Sequence, residues 1–153
     1  TSFHAMKHPK IVFTFFILCL LLIFIWYKTG RSRKTEDDKL LKNNIEFTGT
    51  LKSVKVSQNH CFAIISIDNV KSNVASFNPD LKDRYFPYAI NNGRAEIYTL
   101  LCEGKIKEIG SDVKLNSNQR KLILEIDHKP YEFEIQITSE STDIQFIKKN
   151  TIL

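Results

Sequence analysis

The chain has three cysteines and four histidines, the residue types that most often act as nucleophile, base or metal ligand. Cys61 directly follows His60, but neighbouring residues on a strand point to opposite faces, so the pair is not expected to share a metal ion. No C-x-x-C motif occurs, as the common zinc sites would require. Spacing gives no support to a catalytic pair of Cys61 with His128. We expect Cys61 to be a core residue and His128 to lie exposed in a turn.

Residue spacing also bears on acid–base catalysis by paired carboxylates and on nucleotide binding by glycine-rich loops. Carboxylates occur in pairs at Asp80 with Asp83 and at Glu132 with Glu134. General acid–base catalysis needs surroundings that separate two pKa values, and the second pair falls on the polar face of a predicted strand, where we expect it to be solvated. With five glycines the chain has neither G-x-G-x-x-G nor a P-loop. We therefore predict no catalytic site, no metal site and no cofactor.

Aromatic residues cluster in an irregular stretch that Pro79 and Pro87 interrupt. Exposed aromatic side chains dominate the energetics of protein interfaces, so this group is the predicted surface for a protein partner. The alternative is a loop packed over one end of the β-domain. The predicted partner surface consists of Phe77, Tyr85, Phe86 and Tyr88.

The charge of the chain is distributed unevenly. The formal net charge is +5, and the first 44 residues hold 8 Lys+Arg and 3 Asp+Glu, whereas residues 45–153 hold 14 of each. Nucleic-acid binding by small barrels relies on a basic groove with stacking aromatics. The neutral balance beyond residue 44 therefore argues against a nucleic-acid partner.

The segment from Ile11 to Tyr27 has no charged residue and predicts a transmembrane helix. Its 17 residues would span about 26 Å, against a hydrocarbon core of about 30 Å. Trp26 and Tyr27 suit the headgroup level, and Lys10 and Lys28 flank the segment. The lipid bilayer is thus the predicted partner of this segment.

A cleaved signal peptide is the competing interpretation of the same segment. Met6 opens a short basic stretch before the apolar run, and we expect it to be the natural first residue, with Thr1 to Ala5 as an upstream extension. However, no small-x-small cleavage motif follows Tyr27, and the run is longer than a usual signal core. Cys19 lies in mid-run, which does not fit a lipoprotein signal. We therefore predict an uncleaved anchor, preceded by a tail over residues 1–10.

The orientation of this anchor depends on which flank carries more Lys and Arg. The C-terminal flank carries six such residues between Lys28 and Lys42, and the N-terminal flank carries two. The positive-inside rule then favours a cytoplasmic β-domain. A short basic tail before a first helix also characterises signal anchors that export the following domain. In an oxidising compartment, Cys61 and Cys102 could form a disulfide.

Residues 28–44 form a basic linker. Thr35 can cap a short helix with an acidic first turn and a basic last turn, and this helix is expected to end at Asn43 and Asn44. The basic residues can hold anionic lipid, although a plain stop-transfer flank has the same composition. The predicted lipid contacts are Lys28, Arg31, Arg33 and Lys34.

Residues 45–153 alternate between apolar and polar positions, which predicts a small antiparallel all-β barrel or sandwich of about seven short strands. A bulge is expected near Ser53, a buried strand over Cys61 to Ile67, and a hairpin with Asn92-Gly93 at its tip. A last strand over Asp143 to Ile147 would close the sheet. No helix is expected after the linker.

These features predict a single-pass membrane-anchored protein whose β-domain is a non-catalytic interaction or accessory module with a protein partner. The alternatives are a membrane-tethered enzyme with an unrecognised site and a small barrel that binds a lipid or another ligand. An enzyme would show a concave pocket with convergent polar groups, and a ligand carrier would show a sealed apolar cavity. A module would show a flat or edge-strand surface.

Overall fold

The computed structural model describes residues 9–58, 61–101, 109–126 and 128–153, with side chains from residue 12 onward. The chain divides into two units, Thr1–Asp38 and Lys39–Leu153. His60 and Cys102 lie outside the described residues, as do residues 1–8 of the predicted tail. The predicted disulfide between Cys61 and Cys102 therefore lies outside them as well.

Helix α1 (Pro9–Leu41) contains the whole apolar segment. The stretch Val12–Leu41 includes an 18-residue window with a mean hydropathy of 2.2, none of which is buried. Nearly all large apolar side chains from Val12 to Tyr27 are exposed. The helix is therefore long and apolar enough to cross a membrane, a criterion that signal sequences near an N-terminus also meet.

The predicted separate linker helix is wrong, because α1 continues through the linker. The Thr35 hydroxyl donates a hydrogen bond to the Arg31 carbonyl oxygen at 3.0 Å, one turn back, and so does not cap a new helix. Gly30 is the weakest helix former near this point, and one interior glycine costs only about 1 kcal/mol. The helix ends at Leu41, and Asn44 has a left-handed φ of 59°.

Eight antiparallel strands form a single sheet in the second unit, one more than the predicted number. The antiparallel β architecture is confirmed, but the strand order β3-β4-β5-β2-β1-β6-β7-β8 leaves the sheet unclosed. An isolated bridge joins Tyr85 to Thr138. The strands are β1 (Glu46–Val56), β2 (Phe62–Ser72), β3 (Ser76–Phe77), β4 (Tyr88–Asn91), β5 (Arg94–Leu100), β6 (Asp112–Asn116), β7 (Lys121–Ile126) and β8 (Lys129–Glu134).

The hairpin between β4 and β5 has the predicted turn. Asn92 and Gly93 have φ values of 45° and 84°, which is the left-handed pair that a type I′ turn requires. Asn91 pairs with Arg94 across the turn. The Asn-Gly dipeptide therefore sets the register of these two strands.

Strand β2 is buried on both faces over its first half, which explains its continuous apolar sequence. Ala63, Ile65 and Ile67 belong to the main core inside the curved sheet. Phe62 and Ile64 face the other side and belong to a smaller cluster with Ala89, Tyr98 and Ile147. This second cluster is called the outer core below.

The predicted last strand over Asp143 to Ile147 is wrong, because this segment forms helix α2 (Ser141–Asn150). Ile147 is fully buried in the outer core, and the Phe146 ring meets the Phe62 ring at 6.4 Å. Asp143 lies in the first turn, and Lys148 and Lys149 lie in the last turn, where the helix dipole stabilises each charge. Burial of one apolar stripe on the sheet therefore overrides the strand-like alternation of these few residues.

Gly49 of β1 lies in close contact with β2. Their pairing register shifts between Thr48 and Thr50, and a second shift near Ser53 is the predicted bulge. A Cβ atom at Gly49 would lie 2.5 Å from Ile67 Cγ2 and 2.9 Å from the Asp68 carbonyl oxygen. Only glycine fits here without a movement of the backbone.

We therefore expect Gly49→Ala to lower the free energy of unfolding of the β-domain by about 1–3 kcal/mol, through overpacking. Chemical denaturation of the full chain in detergent measures this loss. Gly30→Ala is the control, because a Cβ at Gly30 would meet no atom within 4 Å apart from its chain neighbours and the backbone of its own helix. Equal stability of the two variants would contradict the expected close packing.

Candidate functional site

The polar end of the apolar segment carries an aromatic pair followed by a group of basic residues. Trp26 is 83% and Tyr27 64% exposed. The basic residues are all exposed and are called the basic collar below: Lys28, Arg31, Arg33 and Lys34.

The basic collar surrounds the helix. At about 100° per residue, Lys28, Arg31 and Lys34 lie on one side of α1 and Arg33 lies on the other. Cations on both sides of a helix are compatible with contact to a layer of headgroups. The collar and the aromatic pair have the chemistry of a membrane boundary.

The four aromatic residues of the predicted partner surface do not form an exposed surface. Phe86 is 4% exposed and Tyr88 0%. The Phe77 ring lies 5.1 Å from the Phe86 ring and 5.4 Å from the Tyr88 ring, at the side of the main core. Tyr85 is half-buried and packs edge-on against Tyr98 at 5.7 Å. In the structure these four rings are therefore packing residues, and two of them belong to strands, Phe77 to β3 and Tyr88 to β4.

Tyr88 also connects the core to the residues that follow α1. Its hydroxyl donates a hydrogen bond to Asn43 Oδ1 at 2.8 Å. The Ile45 amide donates to Ser117 Oγ at 2.9 Å, and Asn118 Nδ2 donates to Asn44 Oδ1 at 2.8 Å. The entry into β1 is therefore fixed to the core and to the turn between β6 and β7.

Burial raises the pKa of Tyr88 to about 12, although its hydrogen bond to Asn43 opposes the shift. Burial also raises the pKa of Tyr98. Between pH 10 and about 12, an unfolded chain loses tyrosine protons that the folded chain keeps, so stability falls as pH rises. We expect denaturation midpoints of the full chain to decline across this range, and Tyr88→Phe to make the decline shallower. An equally steep decline in this variant would contradict the assignment.

The cysteine, histidine and aspartate residues considered in the sequence analysis do not form a common site. Cys61 is not a core residue, because it is half-buried in the turn before β2 with a φ of 53°. His128 is exposed in the turn before β8, as predicted. Asp80 Oδ1 accepts a hydrogen bond from the Lys82 amide within a turn. Within residues that the structure describes, no group of three or more His, Cys, Asp or Glu could hold a metal ion.

The paired glutamates of β8 are exposed and form surface ion pairs. Glu132 Oε2 lies 2.6 Å from Lys121 Nζ, and Glu134 Oε1 lies 2.9 Å from Arg120 Nη2. Both carboxylates are about half exposed, at 55% and 52%. Such pairs contribute little to stability, and they give this edge strand the charges that discourage aggregation.

Glu96 is a buried carboxylate that the sequence analysis did not identify. It is 1% exposed, on the outer face of β5. It accepts hydrogen bonds from the Tyr98 hydroxyl at 3.2 Å and from the Ile152 amide at 3.3 Å. It also accepts one from the Thr151 hydroxyl. Glu96 therefore holds the residues after α2 against the sheet. In the sequence, its position could have been recognised from the single charge within the largely apolar stretch from Ala95 to Leu101.

A cleft of about 360 Å³ opens to solvent between the end of β5 and the end of β8. It is called the β5–β8 cleft below. Its walls are Tyr98, Thr99 and Leu100 on one side and Phe133, Glu134 and Gln136 on the other. This cleft has no signal in the sequence, because β5 and β8 are distant in the chain and meet only in the folded sheet.

The rim of the β5–β8 cleft is acidic. Glu134 and Glu140 line it together with the largely buried Asp143, and Phe62 adds an apolar side chain. Among the described lining residues there is no Lys, Arg or His. The cleft thus combines apolar side chains, strand edges and negative charge.

No protein-family model, curated protein or solved structure matches this chain.

Proposed function

We propose that this chain is a single-pass membrane protein whose β-domain is a non-catalytic interaction or accessory module. The observation that carries the proposal is the exposure of the apolar side chains of α1 from Val12 to Tyr27. Burial of each large apolar side chain is worth about 1.5–3 kcal/mol, so a segment of this length has a strong tendency to leave water. A bilayer provides that burial around the whole circumference of the helix.

Retention of the helix as an anchor is supported by its polar end. Trp26, Tyr27 and the basic collar follow the apolar run without a small-x-small motif, so a signal peptidase has no suitable site there. The larger number of Lys and Arg on this flank supports a cytoplasmic β-domain. Lys28 to Lys34 then lie at the level of the inner-leaflet headgroups.

The membrane proposal is tested on the full chain with a tag after Leu153. We expect the protein to stay in the membrane pellet after alkaline washing and to keep the mass of the uncut chain. A soluble product shortened near Tyr27 would overturn the anchor in favour of a cleaved signal. Phosphatase activity of a reporter fused after Leu153 would overturn the cytoplasmic orientation alone.

The basic collar is proposed to contact anionic lipid, at about 1 kcal/mol per basic residue near the surface. We expect conversion of all four residues to glutamine to reduce the anionic lipid that copurifies with the protein, while membrane retention persists. The control converts Lys148 and Lys149 of α2, which are also exposed. Equal loss of lipid in both variants would contradict a specific role of the collar.

An interaction role for the β-domain is supported by the form of its surface. The interior is filled by buried apolar side chains. The clefts of about 360 and 350 Å³ are both open to solvent, and strand residues contribute to the walls of each. Strand edges next to open clefts are the usual setting for recognition of extended peptides.

A further inference from the structure

The edge of β5 is uncovered at its C-terminal end. The ladder between β4 and β5 ends at Tyr88 and Ile97, after which the Tyr98 amide donates one more hydrogen bond to the Pro87 carbonyl oxygen at 2.8 Å. The chain then turns away, and Tyr85 pairs with Thr138 instead. Leu100 pairs with Phe62 of β2 on its other side and is itself 57% exposed. Among the residues that the structure describes, no strand therefore lies beside its main-chain groups on the side of the cleft.

The edge of β8 is uncovered as well. The Ile135 amide donates to the Arg120 carbonyl oxygen at 3.0 Å, which continues the pairing with β7. Main-chain groups alternate in direction along an antiparallel strand, so those of Glu134 and Gln136 point away from β7. Pro130 lies four residues before Glu134, so its backbone nitrogen also points away from β7. Proline, which has no N–H group, is tolerated at such an unpaired strand edge.

The two uncovered edges face the same space. Leu100 from β5 and both Glu134 and Gln136 from the β8 side line the β5–β8 cleft. Phe62, Phe133 and Ile137 provide apolar contacts within it. An extended peptide in this position would find main-chain partners on the strand edges and apolar surface for alternate side chains.

The negative charge of the cleft favours basic peptides over acidic ones. Glu134 has an ion pair with Arg120, and the exposed Glu140 adds a negative charge next to the start of α2. A cationic side chain beside these carboxylates would be stabilised, and an anionic one would be repelled. The complementary ligand is therefore a basic segment with alternating apolar residues.

We propose that the β5–β8 cleft binds an extended basic segment of a partner protein as an added β-strand. The inference rests on the proposed interaction role and names the chemical class of its partner. The added strand would fill the gap in the sheet between β5 and β8, with a lysine or arginine near Glu140.

The test uses the full chain in detergent micelles and a short blocked peptide in which valine and lysine alternate. We expect saturable binding, with slower hydrogen exchange at the amides of Leu100 and Gln136. A peptide methylated at alternate backbone nitrogens should bind at least about tenfold more weakly, because it cannot complete the ladder. A peptide with glutamate in place of lysine should also bind at least about tenfold more weakly.

Variants of the protein test the rim independently. Glu140→Gln should weaken binding of the lysine peptide about threefold to tenfold, as expected for one partly exposed charge. Glu125→Gln is the matched control, because Glu125 is a glutamate of β7 outside the cleft and should leave affinity unchanged. No binding at about 1 mM peptide, or equal binding of the methylated peptide, would overturn the inference.

Photocrosslinking in cells separates this inference from the proposed function. A crosslinking residue at Leu100 should capture a lysine- or arginine-containing segment of a partner, which peptide mass spectrometry identifies. Capture only from a crosslinker at Lys114, on a different face of the domain, would overturn the cleft and keep the interaction role. Capture of no protein from either position would overturn the interaction role itself.

Discussion

Replacement of both Leu18 and Leu22 by arginine is expected to release the protein from the membrane. The two side chains lie one turn apart on α1 and are 54% and 59% exposed. One arginine at the centre of a transmembrane helix costs about 2.5–3.5 kcal/mol on the insertion scale, so the pair costs about 5 kcal/mol or more. The measurement is the fraction of full-length protein in the membrane pellet after alkaline washing.

The control for this variant places the same two charges outside the apolar segment. Thr29→Arg with Thr35→Arg extends the basic region of α1, where arginine is compatible with headgroups. This control should remain in the pellet. Retention of the Leu18 and Leu22 variant at the control level would show that the apolar segment is not what holds the protein in the membrane.

Ile147→Ala is expected to detach α2 from the sheet. Ile147 is fully buried in the outer core, and truncation of such a side chain costs about 2–5 kcal/mol. A helix of ten residues is not stable in water without its packing surface. We therefore expect hydrogen exchange of the α2 amides to accelerate by about 30-fold or more, which corresponds to about 2 kcal/mol.

Hydrogen exchange in the strands should be compared with that in α2. Strands β6 and β7 pack in the main core and should retain more of their protection than α2. Lys148→Ala is the matched control, because Lys148 is exposed on the neighbouring position of α2. Simultaneous acceleration of α2 and these strands would mean that the outer core and the main core unfold as one unit.

Local patterns in the sequence were sufficient for much of the fold. Asn92-Gly93 identified a hairpin, because these residue types adopt left-handed φ values at low cost. The apolar run up to Ile67 identified a strand buried on both faces. The uncharged segment from Ile11 to Tyr27 identified a helix capable of crossing a bilayer. Each of these three elements depends mainly on interactions of residues with their neighbours in the chain or with solvent.

The errors arose where distant contacts decide the outcome. Ile144 and Phe146 alternate as in a strand, but Ile144 and Ile147 also share a helical face, and the outer core selects the helix. Phe77 meets Phe86 and Tyr88 only because β3 pairs with β4. The β5–β8 cleft depends on the whole sheet, so its residues carry no local signal.

The order of elements along the chain has a consequence during synthesis. Strands β2, β4 and β5 present Phe62, Ile64, Ala89 and Tyr98 on the outer face, and α2, which covers them, follows all eight strands. These three strands are therefore synthesised well before their cover, and their outer apolar face stays bare until α2 has been made and has packed on it. Nascent surfaces of this kind promote aggregation and recruit chaperones. Slow translation between β8 and α2 should prolong that exposure, so this short stretch of message bears on the yield of folded protein.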